Sequence, residues 1–259
     1  MSHPSRLRRH QGMRIAIAGG TGTLGSHVAT RLRSRRHEVR VLSRSAPEYR
    51  VDLVTGAGLE PALRGCDVVV DASNNAGRKA AAVLVEGTRR LLAAEQAAGV
   101  SHHVCVSIVG CDQVPMGYYR VKTDQENLVA QGPVPWTIVR ATQFHDLIKV
   151  IFSIQRFSPV LSTLRGVRFQ PIDTRDVAAR LVELIDREPA GRVADIGGPA
   201  VHTHAELARM YLAARGSRRP VVQMPVPGRI VAGYRAGANL VPDNAAGTIG
   251  FAEYLTENT

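Results

Sequence analysis

The stretch Gly19-Gly20-Thr21-Gly22-Thr23-Leu24-Gly25 decides the fold. The apolar run Met13-Arg14-Ile15-Ala16-Ile17-Ala18 precedes it, and Ser26-His27-Val28-Ala29-Thr30-Arg31-Leu32-Arg33, with helical spacing, follows. Strand, glycine turn and helix in that order are the context in which a glycine pattern reads as a dinucleotide-binding turn. Gly19 would allow the sharp turn, Gly22 would let the backbone approach a pyrophosphate, and Gly25 would let helix and strand pack closely. The first helical turn then offers unpaired N–H groups and a positive dipole end to phosphate oxygens. On this reading Gly19, Thr21, Gly22, Thr23, Leu24 and Gly25 line a cofactor.

Working outward, Glu38–Ser43 alternates as a strand and completes a βαβ unit. Asp67–Ala72 is a continuous β-branched run, expected as a fully buried strand, and Ala72, Ser73 and Asn74 at its end are counted with the cofactor contacts. Ala81–Ala98 reads as a long helix stopped by Gly99. His103–Val109 and Trp136–Ala141 are further strands, with a helix over Asp124–Gln131 between them. This alternation predicts an α/β Rossmann fold: a doubly wound, mostly parallel sheet with helices on both faces. Right-handed crossovers place the functional loops along one sheet edge.

Beyond Phe144 the rhythm loosens. Leu147–Phe152 suggests a short helix and Ser162–Phe169 a short strand. Asp173–Asp176 caps a helix with apolar positions at Val177, Leu181, Leu184 and Ile185. Arg192–Pro199 reads as a strand, and Thr203 with Glu206 forms a capping box for a helix to about Ala214. The tail from Arg218, with Pro220, Pro225, Pro227 and Pro242, reads as mostly irregular. The expected organisation is a basic flexible N-terminus over 1–12, a Rossmann domain over 13–145 and a C-terminal part over 146–259. That last part returns to the Rossmann core at 171–198 and otherwise forms a small irregular substrate lobe.

Composition narrows the function classes. The 259 residues are 44% apolar and 21% charged, ordinary for a globular protein. No apolar run reaches the ~18–20 residues that span a bilayer, and no secretory signal is visible, so a cytoplasmic protein with no membrane partner is expected. Cys66, Cys105 and Cys111 are too few and too scattered for a disulfide framework, and Cys66 and Cys105 read as buried thiols. No metal site is expected; His102 and His103, adjacent on a strand, point to opposite faces. The net charge of +11 invites a nucleic-acid reading, but 30 of the 33 cations are arginine and they are dispersed along the chain. A solvated basic surface, with no specific nucleic-acid partner, is the better account.

Two further constellations carry chemistry. Roughly 20 residues past the glycines, an acidic residue would bind a ribose 2′-hydroxyl. Ser43 and Arg44 stand there instead, and a guanidinium suits a 2′-phosphate, favouring NADP over NAD. The second constellation is Tyr118-Tyr119-Arg120-Val121-Lys122. Tyr118 and Lys122, four apart, share a helix face, and a neighbouring ammonium lowers a phenol's pKa toward neutrality. Ser107, at the end of the preceding strand, offers a hydroxyl to a substrate carbonyl.

The glycine pattern, the helix Val85–Leu92, the strand end Val106-Ser107-Ile108-Val109-Gly110 and Tyr118-x-x-x-Lys122 together resemble the short-chain dehydrogenase/reductase superfamily. The GxxGxxG spacing and the loose C-terminal part resemble its atypical, NmrA-like NAD(P)-binding branch. The resemblance implies Tyr118 as catalytic acid, Lys122 as the residue holding the nicotinamide ribose, and Ser107 as the carbonyl-orienting group. The loop from Ser107 to Tyr118 is short for that superfamily, which leaves Tyr119 as a rival to Tyr118. Substrate walls are expected from Thr142, Gln143, Phe144 and His145. The expected function is NADPH-dependent reduction of a small carbonyl or quinone-like substrate, by a monomer or homodimer. The alternatives are a non-catalytic NADP-binding redox sensor of the NmrA-like type, and an NAD-dependent sugar epimerase or dehydratase.

Overall fold

β1 (Arg14–Ala18) buries four of its five side chains, which is why it lies inside a sheet rather than at its edge. The structure, a computed structural model, describes residues 12–258; the expected basic N-terminus up to residue 11 lies outside the described residues. The chain divides into two compact units. The first comprises the residues up to Val106, with Val121–Val139 and Ala178–Val193; the second comprises Ser107–Arg120, Arg140–Val177 and the chain from Ala194 onward.

The first unit carries most of the seven-stranded sheet. Its strands are β1, β2 (Glu38–Ser43), β3 (Tyr49–Arg50), β4 (Val68–Asp71), β5 (His102–Ile108), β6 (Trp136–Ala141) and β9 (Gly191–Arg192), in the order β3-β2-β1-β4-β5-β6-β9. β1 pairs in parallel with both β2 and β4, Ile15 lying opposite Val39 and Val68. Helices α1 (Thr23–Ser34), α2 (Leu59–Leu63), α3 (Gly87–Ala98), α4 (Gly117–Ala130) and α6 (Thr174–Ile185) supply the crossovers that parallel strands require. One core cluster joins Ala16, Leu42, Leu63, Val69 and Leu91; another joins Leu92, Cys105, Val129 and Ile138. The expected doubly wound Rossmann sheet is present.

The second unit holds α5 (His145–Ser153), α7 (His204–Ala214), α8 (Arg229–Arg235) and α9 (Phe251–Glu257). Two small sheets accompany them: β7 (Leu161–Leu164) parallel to β11 (Val221–Met224), and β8 (Arg168–Phe169) antiparallel to β10 (His202–Thr203). Ile148, Phe152, Leu161, Phe169, Leu207, Tyr211 and Phe251 form its core. The capping box of α7 is present, Thr203 Oγ1 accepting from Glu206 N at 3.2 Å and Thr203 N donating to Glu206 Oε2 at 2.7 Å. Among the described residues no helix is long and apolar enough to cross a membrane.

Several local expectations are corrected. The tail from Arg218 is irregular over most of its described length, as expected, but it also contains β11, α8 and α9, and β11 exists only because β7 lies about 60 residues away to pair with it. The strand expected over Ser162–Phe169 is two strands, split at Gly166, whose φ of +72° breaks the extended run. The strand expected over Arg192–Pro199 shrinks to β9, followed by backbone hydrogen bonds from Val193 N to Ile138 O and from Ile196 N to Arg140 O. The helix expected from Ala81 opens with a π turn over Ala82–Glu86 before α3, and Gly99 ends it with a φ of +72°. α4 starts at Gly117 rather than Asp124, which places the Tyr118–Lys122 pair one helical turn apart.

Candidate cofactor and active site

The glycine turn separates what the fold needs from what it does not. Gly19 has a φ of +73°, and a Cβ there would lie 2.7 Å from Ala72 O. A Cβ on Gly25 would lie 2.4 Å from Gly19 O. Both glycines are therefore demanded by the backbone. Gly22 is different: its φ of −76° and ψ of 172° suit any residue, and a Cβ would meet only Gly19 O, at 3.2 Å. A glycine whose backbone angles any residue could adopt, at the N-cap of α1 and without a side-chain cap, leaves the helix N-terminus open to an anion. Thr21, Gly22 and Thr23 are exposed there, while Leu24 and Gly25 are buried beneath. Ser73, at the end of β4, is buried and its Oγ has no hydrogen-bond partner, and Asn74 beyond it is exposed. A bare cradle and an orphaned hydroxyl fit a pyrophosphate-bearing cofactor.

At the end of β2, Ser43 Oγ accepts from Ser45 N at 3.2 Å, which turns the chain and carries Arg44 outward. Arg44 is exposed and makes no hydrogen bond or ion pair among the described residues. Its guanidinium is available to a ligand.

A buried polar network runs beneath the ends of β4 and β5. Lys122 Nζ donates to Val106 O at 3.0 Å and to Gln125 Oε1. The Gln125 amide donates in turn to Asp71 Oδ2 at 2.9 Å and to Thr88 Oγ1 at 3.0 Å, and Thr88 Oγ1 donates to Asp71 Oδ2 at 3.2 Å. Asp71 Oδ1 accepts from Ser73 N at 3.0 Å, so the same carboxylate shapes the loop that carries Ser73 and Asn74. Gln125 thus links a buried cation to a buried anion. Two of the three N–H bonds of the Lys122 ammonium are spent, leaving one for a ligand. Asp71, Thr88 and Gln125 were not expected at the site. The available signal was an aspartate closing an otherwise apolar β-branched run, a residue that cannot be buried without partners.

Next to this network, Glu95 and His103 form a fully buried pair, His103 Nδ1 lying 2.9 Å from Glu95 Oε1. Burial opposes charge on the imidazole, but the carboxylate outweighs it and holds the His103 pKa well above the usual histidine range. Asp71, His103 and Cys105 bring potential ligand atoms within 4.8 Å of one another, a grouping that the scattered sequence positions concealed. His102 points the other way, to Thr137 Oγ1 at 2.9 Å, as alternation predicts. Cys66 and Cys105 are the buried thiols expected.

In the second unit, Tyr118 is half-buried in a cluster with Cys111, Val114 and Tyr119. Tyr119 is buried, and its hydroxyl is tied to Tyr234 Oη at 2.8 Å and receives the Gln143 amide at 3.5 Å. Burial first, then the neighbouring Tyr234 phenol, raises the Tyr119 pKa, which makes it a poor proton donor near neutrality. Ser107 is buried with its Oγ 3.9 Å from Cys111 Sγ. Gln143 is held by Asn239 Nδ2 at 3.3 Å, and Phe144 forms the N-cap of α5. Thr142 is buried, its Oγ1 donating to Gln170 O. His145 is not at a wall: it is fully buried, its Nε2 on Ile249 O at 3.0 Å and its ring 5.1 Å from that of Tyr254. Apolar surroundings of α5 and α9 claim it for the core.

Residues 19–188 match the NAD(P)H-binding family. The chain is 28% identical over 221 residues to the NAD(P)H azoreductase of Xenophilus azovorans, covering 80% of this chain and 75% of that one. It is 25% identical over 234 residues to the photosystem II assembly factor Ycf39 of Trieres chinensis, covering 83% and 73%. Among solved structures, an NADPH-dependent quinone oxidoreductase of Escherichia coli superposes with a TM-score of 0.76 at 18% identity, over 94% of this chain and 99% of that one. At that identity the likeness speaks to the fold, which is the Rossmann type expected.

Proposed function

The chain belongs to the NAD(P)H-binding family, and from that premise we propose that it is an NADPH-dependent reductase of a small carbonyl or quinone-like substrate. The observation that carries cofactor binding is Gly22, a glycine unexplained by its own backbone at an uncapped helix N-terminus. A relative named as an NAD(P)H azoreductase supports reduction as the chemistry. The preference for NADPH rests on the exposed Arg44 where an acid would favour the unphosphorylated ribose.

When bound, the nicotinamide supplies the two electrons of the reduction as hydride. The chain's own residues do the rest. The α1 N-terminus holds the pyrophosphate, and Ser73 and Asn74 border the cofactor. Lys122 gives its remaining N–H to the nicotinamide ribose, with its charge one helical turn from Tyr118. Tyr118 protonates the substrate oxygen, and Ser107 orients the carbonyl. Tyr119, with its hydroxyl engaged by Tyr234 and Gln143, serves as support for Tyr118. Gln143 and Phe144 contribute substrate walls.

The test is NADPH oxidation against a panel of quinones and small carbonyls. Tyr118→Phe should lower turnover by about 10²–10⁴, the share of a positioned general acid, while NADPH affinity stays put. A wild type that binds NADPH but reduces no member of the panel would favour the non-catalytic sensor.

A further inference from the structure

We propose that the second unit adsorbs to anionic lipid bilayers through an apolar and cationic face built from α5, its C-terminal turn, and the β7–β11 strand pair. The starting observation is where the exposed large apolar side chains fall. Among the described residues these are Leu147, Val150, Ile154, Phe157, Val222, Met224, Val226 and Ile230. Leu147, Val150, Ile154 and Phe157 recur at helical spacing, and the last two are 71% and 86% exposed. Such a stripe marks an interaction surface more than a chance scatter of single residues.

Charge then selects the partner. The first four residues lie within Leu147–Ile172 and the other four within Leu207–Pro242, and neither stretch contains an aspartate or glutamate. With 22 acidic residues in the 259, two acid-free runs of 26 and 36 residues are a marked bias. Together they carry ten cations, including Arg156 and Arg219. The two runs are joined in space. β7 and β11 pair in parallel, and Arg219 Nη1 donates to Gln155 O at 2.7 Å and Ser158 O at 2.9 Å, bracing the turn that presents Phe157. Arg156 stacks over the Phe157 ring at 4.5 Å. Beside β11 lies an open depression lined by Arg209, Arg218 and Arg219 with Leu212 and Val221, a setting for a lipid phosphate above an apolar floor.

A second copy of the chain would set Arg156, Arg209 and Arg218 against their own counterparts, so self-association through this face is disfavoured. An anionic bilayer satisfies both features at once, its headgroups pairing with arginine while Phe157 and Ile154 enter the interface. Adsorption of this kind needs no spanning helix. This departs from the expectation of no membrane partner, which was drawn from the lack of an apolar span.

The experiment is co-sedimentation of the full chain with phosphatidylcholine vesicles, with and without about one-third phosphatidylglycerol, at physiological salt. Wild type should bind the anionic vesicles and not the neutral ones. Ile154→Asp/Phe157→Asp and, separately, Arg209→Ser/Arg218→Ser should each weaken binding by about tenfold or more with unchanged melting temperature. Arg31→Ser/Arg33→Ser on α1, equal in charge change to the second variant, should bind as wild type. Wild type failing to bind the anionic vesicles, or binding the neutral ones equally, would overturn the proposal, and so would three further results. One is equal loss in the α1 variant, which would reduce the effect to net charge. Another is undiminished binding by Ile154→Asp/Phe157→Asp. The third is light scattering showing a dimer that this variant dissociates.

Discussion

Replacing Gly22 and Gly25 one at a time by alanine separates cofactor binding from folding. At Gly25 the new methyl carbon would stand 2.4 Å from Gly19 O and 2.7 Å from Gly20 Cα, about 1 Å inside ordinary contact. Both neighbours are backbone, so α1 must shift bodily. Overpacking of that kind costs about 1–3 kcal/mol, and the better helix propensity of alanine, at most about 1 kcal/mol, offsets only part. The melting temperature should fall by about 3–8 °C, and NADPH binding should weaken with it. At Gly22 the methyl meets one atom at 3.2 Å, and the backbone angles already suit alanine. The stability cost is that of a poorer N-cap, about 0.5–1 kcal/mol, plus a displacement of a few tenths of an ångström at Gly19 O. The methyl does occupy the approach to the α1 N-terminus, where a charge-assisted hydrogen bond contributes about 1.5–3 kcal/mol. Gly22→Ala should therefore bind NADPH roughly 10- to 150-fold more weakly while melting close to wild type. Differential scanning fluorimetry and a fluorescence titration read the two quantities. If Gly22→Ala binds NADPH within twofold of wild type, or melts as low as Gly25→Ala, the reasoning fails.

Arg44→Ala should weaken NADPH by about 1–3 kcal/mol and leave NADH almost unchanged; comparable affinities of wild type for the two cofactors would remove the basis for this. Tyr119→Phe, which deletes the hydroxyl bonded to Tyr234, should lower stability by about 0.5–1.5 kcal/mol yet keep turnover, whereas a dead Tyr119→Phe with an active Tyr118→Phe would reverse the two roles. Burial lowers the pKa of both His102 and His204 to about 4, and His204 Nδ1 accepts from Leu164 N, a bond that protonation would break. Both histidines fold neutral, so their contribution is intact above about pH 6.5 and is lost as pH falls toward 4, by about 3 kcal/mol each. Urea melts between pH 7 and pH 4 should show that slope, and His204→Asn, which can keep the Leu164 bond, should flatten part of it.

Features that depend on short-range pattern are legible in the sequence alone. Gly19 and Gly25 are forced by a turn only a few residues long, β2 and β6 end where the alternation and the β-branched runs end, and the capping box of α7 is complete within four residues. These elements are sufficient for a Rossmann sheet, because each parallel crossover has one allowed hand. Other features depend on partners far apart in the chain and emerge only on folding. β11 needs β7, Tyr119 is set apart from Tyr118 by Tyr234, and His145 is drawn into the core by Phe251 and Tyr254. The Lys122–Gln125–Asp71–Thr88 network was equally hidden, since its members are drawn from three separated segments. A buried aspartate announces in sequence that it requires partners; which ones it finds is settled by the packing of α3 and α4 over the ends of the strands.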